Sequence, residues 1–227
     1  MRAPRRLFCT ALLGLAAAAT LPGAAGAAEP VPGNQYVLLA SPQPTDTGKK
    51  VEVIEFFAYY CPHCAAFEPL LADWVRKQGD NIVFKRVHVA AGAAALAQQR
   101  LFYTLDAMGL LEQYHARVFK AMHVERLRLG SDEQVFDWVG QAGIDRAKFI
   151  DTYRSFGIQA RLRRAGAMMD AYDVQYWPLV VVDGRFVTSP SQAGKSLPGS
   201  NETQQQQASL DVMDYLVARA KAEKDKR

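Results

Sequence analysis

From Val51 to Tyr60 every position is apolar or aromatic except Glu52 and Glu55, a pattern that predicts a strand covered on both faces. Beyond Cys64, the residues Phe67, Leu70, Leu71, Trp74 and Val75 recur at the spacing of one helix face, and Pro69 within that stretch predicts a kink. A second core strand is expected from Ile82 to Val89. The three segments together read as a βαβ unit. Upstream, the Pro- and Gly-rich stretch from Glu29 to Gly48 holds one short apolar run, Tyr36 to Leu39, with the character of an edge strand.

From about 92 to 173 the periodicity turns helical, with its longer segments at 93–108, 110–122 and 156–172. Ser131 with Gln134 forms the signature of a capping box, and Asp145 is placed to cap a short helix around Phe149. Strand character returns at 179–182 and 185–188, joined by Asp183-Gly184, the dipeptide of a type I′ hairpin. A polar loop that includes Gln204 to Gln207 should follow, and Leu210, Met213 and Val217 then mark a last amphipathic helix. Two arrangements fit this order: a small α/β sheet domain interrupted by about 80 helical residues, or two separate domains.

The 227 residues are 49% hydrophobic and 22% charged, a globular composition with enough chain for a sizeable core. Arg2, Arg5 and Arg6 precede an apolar run from Leu7 to Leu21 that ends in Ala25-Gly26-Ala27. That order predicts a cleaved secretory signal over residues 1–27 and a mature chain of residues 28–227. The run is too short for the roughly 20 apolar residues of a membrane span, and it breaks at Pro22 and Gly23. The paired arginines are ordinary for a signal, which favours Sec export. Cys9 precedes most of the apolar run, so it is not a lipoprotein cysteine. Cleavage leaves 24 basic against 23 acidic residues. With no basic stripe interleaved with aromatics, nucleic acid is not an expected partner.

Cleavage also leaves two cysteines, Cys61 and Cys64, in a compartment that tolerates disulfides. Cys61-Pro62-His63-Cys64 lies between the buried strand and the helix. At a helix start this spacing brings both sulfurs within bonding reach and sets Cys61 beside unpaired N–H groups at the positive end of the helix dipole. His63 adds a donor, or a charge when protonated, which also favours a Cys61 thiolate. Two blander readings compete. A structural disulfide over so short a loop would constrain little chain entropy. A zinc site would need two more ligands, and His63, His88, His115 and His123 show no recognised ligand spacing. No metal site is therefore expected. His88, His115 and His123 read as surface or packing residues without a role.

The segment Val53-Ile54-Glu55-Phe56-Phe57-Ala58-Tyr59-Tyr60-Cys61-Pro62-His63-Cys64 resembles the active-site segment of the DsbA family of periplasmic thiol:disulfide oxidoreductases, and the likeness extends over nearly the whole mature chain. The Pro62-His63 dipeptide is its most specific part. The resemblance implies a thioredoxin-like central sheet with a helical subdomain inserted at about 92–173, an α/β fold in one interrupted domain. It also implies an acidified, exposed nucleophile at Cys61, a buried partner at Cys64 and an oxidising potential. Tyr176-Trp177-Pro178 matches the family's cis-proline loop, which would make Pro178 a substrate-docking position. Trp177 departs from the smaller residue usual there, and reads either as a packing residue or as a gate on bulky substrates. Glu55 matches a buried acid beneath the active site, and reads either as a proton relay to Cys64 or as a strand carboxylate paired with Lys85 or Arg86.

The expected reaction is oxidation of exported, folding proteins with free thiols: a substrate thiolate attacks Cys61, a mixed disulfide forms, and a second substrate thiol displaces Cys61. By resemblance, a quinone-linked inner-membrane reoxidase of the DsbB type would restore the disulfide, with no bound cofactor in this chain; a monomer is expected. The alternatives are a periplasmic reductant or isomerase, for which the Pro-His dipeptide and the inserted helices argue poorly, and a peptide-binding holdase with a structural disulfide.

Overall fold

The structure is a computed structural model and describes residues 29–226; the signal segment and Cys9 lie outside them. Five strands form one sheet in the order β1 (Val37–Leu38), β5 (Phe186–Thr188), β4 (Leu179–Val182), β2 (Val51–Phe57), β3 (Ile82–His88). All seven residues of β2 are buried, because β3 pairs with it in parallel on one side and β4 antiparallel on the other. The strand ends at Phe57, three residues earlier than its apolar pattern predicts, so Ala58, Tyr59 and Tyr60 form the turn that delivers Cys61 to the helix α1 (Pro62–Gln78).

Side chains alternate across this sheet and divide the core in two. Ile54, Phe56, Leu179 and Val181 face one cluster, and Val51, Val53, Val180 and Val182 face the other. The first cluster is completed by five helices that lie between β3 and β4: α2 (Ala93–Ala107), α3 (Leu111–His123), α4 (Asp132–Gln141), α5 (Arg146–Tyr153) and α6 (Phe156–Ala171). The second is covered by α1 and α8 (Glu202–Lys224), which bring Phe67, Leu71, Leu210 and Met213 onto the sheet. A short helix, α7 (Pro190–Ala193), follows β5. This is the α/β class with helices inserted into a thioredoxin-like sheet. Among the described residues no helix is long and apolar enough to cross a membrane.

Local signals were obeyed with two exceptions. Asp183 and Gly184 both take positive φ, 52° and 65°, as a type I′ turn demands. Gly184 is also held by space, since a Cβ there would meet the Gln43 carbonyl oxygen at 2.2 Å. Ser131 caps α4 by accepting from the Gln134 N–H, but the Gln134 side chain reaches back to Gly130 rather than to Ser131, so the box is only half closed. The larger exception is the stretch from Gln204 to Gln207, which is helix and not loop. Asn201 and Gln204 form a complete, reciprocal capping box that starts α8 before any apolar residue appears. α1 runs from Pro62 to Gln78 with Pro69 inside it.

Candidate active site

Cys61 is the N-cap of α1: its backbone is extended, at φ −81° and ψ 117°, and its sulfur accepts the Cys64 N–H at 3.4 Å. Pro62 occupies the first helical position, where a missing N–H leaves nothing unpaired. Both cysteines are free thiols here. The expectation of an exposed Cys61 needs correction: it is 6% accessible and Cys64 0%. The covering comes from the loop opposite. The Trp177–Pro178 peptide is cis, the Trp177 carbonyl oxygen lies 3.8 Å from Cys61 Sγ, and the Trp177 indole packs edge-on against the Tyr60 ring at 6.1 Å.

The two thiols are driven in opposite directions. Cys61 is lowered to about 6, first by the side-chain hydrogen bond from Cys64, then, against the cost of burial, by the backbone N–H groups of Cys64 and His63, and last by the His63 charge. Cys64 is pushed far up by burial and by its neighbours, including Cys61 and Glu55. The imidazole of His63 thus contributes less than its sequence position suggests. It is turned toward solvent and pairs with Glu202 of α8, Nδ1 to Oε1 at 2.8 Å, a bond that raises the His63 pKa.

Behind the turn lies a buried polar cluster. Glu55, directly opposite Arg86 in the β2–β3 register, accepts from Arg86 Nε at 3.1 Å, while Lys85 pairs with Glu52. The guanidinium also donates to both oxygens of Glu68 at 2.9 and 3.1 Å. Burial pushes Glu55 up to about 8 against the pull of Arg86, and the Glu68 charge pushes the same way. Burial also works against a charged Glu68, but its contact with the His115 imidazole and the charge and hydrogen bonds of Arg86 outweigh it and hold Glu68 below the usual carboxylate range. Arg86 therefore serves Glu68 first, and Glu55 is the carboxyl that keeps a proton near neutral pH.

Of the surface and packing readings, packing holds for His88 and His115, which are buried, while His123 is half-buried. His88 is 0% and His115 4% accessible, and all three contact Tyr59, two residues before Cys61. His88 Nε2 accepts the Tyr59 N–H at 3.1 Å, His123 Nε2 lies 2.7 Å from the Tyr59 carbonyl, and His115 Nδ1 lies 2.9 Å from the Tyr59 hydroxyl. Sequence reasoning also missed Glu68, although an acid four residues after Cys64 on the stripe of Phe67 and Leu71 is a legible sign of a buried charge. Among the described residues no three His, Cys, Asp or Glu side chains gather as metal ligands.

Residues 52–208 match the DSBA-like thioredoxin domain. The chain belongs to that family. The thiol:disulfide interchange protein DsbA of Bordetella parapertussis is 38% identical over 212 residues, which span 93% of this chain and 97% of the relative. DsbA of Pseudomonas aeruginosa strain PAO1 is 35% identical over 218 residues, 96% of this chain and 98% of the relative. The crystal structure of Pseudomonas aeruginosa DsbA superposes with a TM-score of 0.76 at 33% identity, covering 86% of this chain and 96% of that one. Reduced DsbA1 from Neisseria meningitidis gives 0.73 at 26% identity, covering 88% and 100%. As a member of the DsbA-like family, the chain is a thiol:disulfide oxidoreductase with a thioredoxin-like fold.

Proposed function

We propose that this member of the family donates a Cys61–Cys64 disulfide to folding proteins in the periplasm, after export by the N-terminal signal. The observation that carries the direction of transfer is the asymmetry of the pair: Cys61 lowered to about 6, Cys64 driven up. A substrate thiolate attacks Cys61 Sγ, the Cys61–Cys64 bond breaks, and Cys64 leaves with the electron pair and takes a proton. A second substrate thiolate then attacks the substrate sulfur of the mixed disulfide and expels Cys61 as a stable thiolate. The substrate has lost two electrons and gained a disulfide; the enzyme holds two thiols.

Glu55 suits the proton step. It is buried, protonated up to about pH 8 and within electrostatic reach of Cys64, so it supplies the proton that a buried, high-pKa thiolate requires. Pro178 and the Trp177 carbonyl border Cys61 where an extended substrate segment can add as a strand, and Trp177 with Tyr60 forms an apolar wall beside it. The reduced enzyme is reoxidised by a quinone-linked inner-membrane partner of the DsbB type, with no cofactor bound in this chain.

Oxidation of a two-cysteine peptide by wild type, Cys61→Ser and Cys64→Ser tests the reading. Cys61→Ser and Cys64→Ser should each lose all turnover, because neither retains a disulfide to donate. Absence of oxidation by the wild type, with peptide binding unchanged in Cys61→Ser, would leave a holdase as the better account.

A further inference from the structure

Four features converge on Tyr59. Its backbone N–H and carbonyl are held by His88 and His123, its hydroxyl by His115, and its ring lies among Phe57, Phe102 and Phe119. The titratable and charged groups facing His115 are Glu68 from α1, Arg86 and His88 from β3, and Tyr59 from the turn. Burial keeps the Tyr59 hydroxyl protonated, so it donates to His115 Nδ1. The imidazole proton then sits on Nε2, 3.3 Å from Glu68 Oε2 but without the alignment of a hydrogen bond, so this end of the link is an electrostatic contact. The opposite tautomer would point a lone pair at a carboxylate. His115 thus lies in one buried line: Tyr59, His115, Glu68, Arg86, Glu55.

We propose that His115 is a positioning residue for thiol-disulfide exchange: it fastens the Tyr59 side chain of the catalytic turn to the Glu68–Arg86–Glu55 cluster behind Cys64, so that turn and cluster act as one unit. It touches neither sulfur. Its first effect is on Tyr59, two residues ahead of Cys61, and so on the alignment of the N–H groups that Cys61 accepts. Its second effect is on Glu68, which it keeps ionised and engaged with Arg86, leaving Glu55 as the group that holds the proton. The inference rests on the oxidase reading only for the use made of that proton.

The test is a double-mutant cycle on the mature chain with Tyr59→Phe, His115→Phe and both together. Each keeps an aromatic ring in the packed site and removes one end of the link. The readout is the pH midpoint of the Cys61 thiolate absorbance, which reports on the turn whichever direction the exchange runs, so failure of the oxidase reading would not mask the result. Each single variant should raise the midpoint by about half a pH unit, less than the full scale of one hydrogen bond because neither side chain touches the sulfur, and the double variant should add little more. An unchanged midpoint in His115→Phe, or fully additive shifts, would overturn the proposal and leave His115 as packing. Should the variants not fold, long-range 1H–15N correlation of the wild-type imidazoles decides: a neutral His115 protonated on Nε2 supports the link, and a proton on Nδ1 overturns it.

Discussion

At the scale of single residues, the chemistry is set by where each charge is allowed to sit. Cys61 loses its proton at about 6 because donors at the start of α1 already point at its sulfur. At pH 7 this favours the reduced protein by an upper bound of about 1.4 kcal/mol, or about 30 mV of potential, before solvent screening reduces it. His63→Ala should raise the thiolate midpoint by only a few tenths of a unit, since its charge is the smallest contributor; absorbance against pH measures it. Glu55 carries the opposite sign. It ionises near 4.5 in the unfolded chain and near 8 in the fold, so its contribution to stability is complete below 4.5 and is lost as pH rises through 8. Glu55→Gln should flatten that decline in the reduced protein, as followed by urea midpoints between pH 4.5 and 8.5, and should also slow the first exchange step at neutral pH. Trp177→Val should speed oxidation of bulky thiol substrates relative to small ones, and equal rate changes for both would make Trp177 a packing residue. Much of this was legible in the chain: the cysteine spacing, its place between strand and helix, and the acid in an apolar strand. The partners of those residues were not, because Arg86, Glu68 and His115 come from β3, α1 and α3 and meet only once the sheet is assembled.

At the scale of elements, the strands were legible because two of them are buried on both faces and read as unbroken apolar runs. The first turns of α8 were not, because Glu202 to Gln207 has no apolar stripe and its helical state is decided by the cap at Asn201. Asn201→Ala should therefore cost about 1 kcal/mol in denaturant unfolding, and by fraying the first turn should also loosen Glu202 from His63, seen as a downward shift of the His63 titration. The β4–β5 hairpin depends on a glycine in a different way. Gly184→Ala adds a Cβ onto the Gln43 carbonyl at a positive φ, and should destabilise the protein by about 1 to 3 kcal/mol without moving the Cys61 midpoint.

At the scale of the whole molecule, one sheet carries two different tasks on its two faces. The face covered by α1 and α8 supplies the apolar support under the catalytic helix, and the face covered by α2 to α6 supplies His115, His123 and the aromatic cage that hold the turn before it. The inserted helices thus complete the active site from behind, which explains why the βαβ core alone does not contain all of its polar contacts. The reduced state gains a stabilised thiolate that the disulfide lacks. The reduced protein should accordingly gain stability over the oxidised one as pH rises above about 6, with the gain lost as pH falls through that value. The most direct test of the account is the equilibrium potential of the Cys61–Cys64 couple against glutathione at pH 7. A potential well above the thioredoxin value of about −270 mV is predicted, and a thioredoxin-like potential would contradict the assignment of this chain as an oxidant.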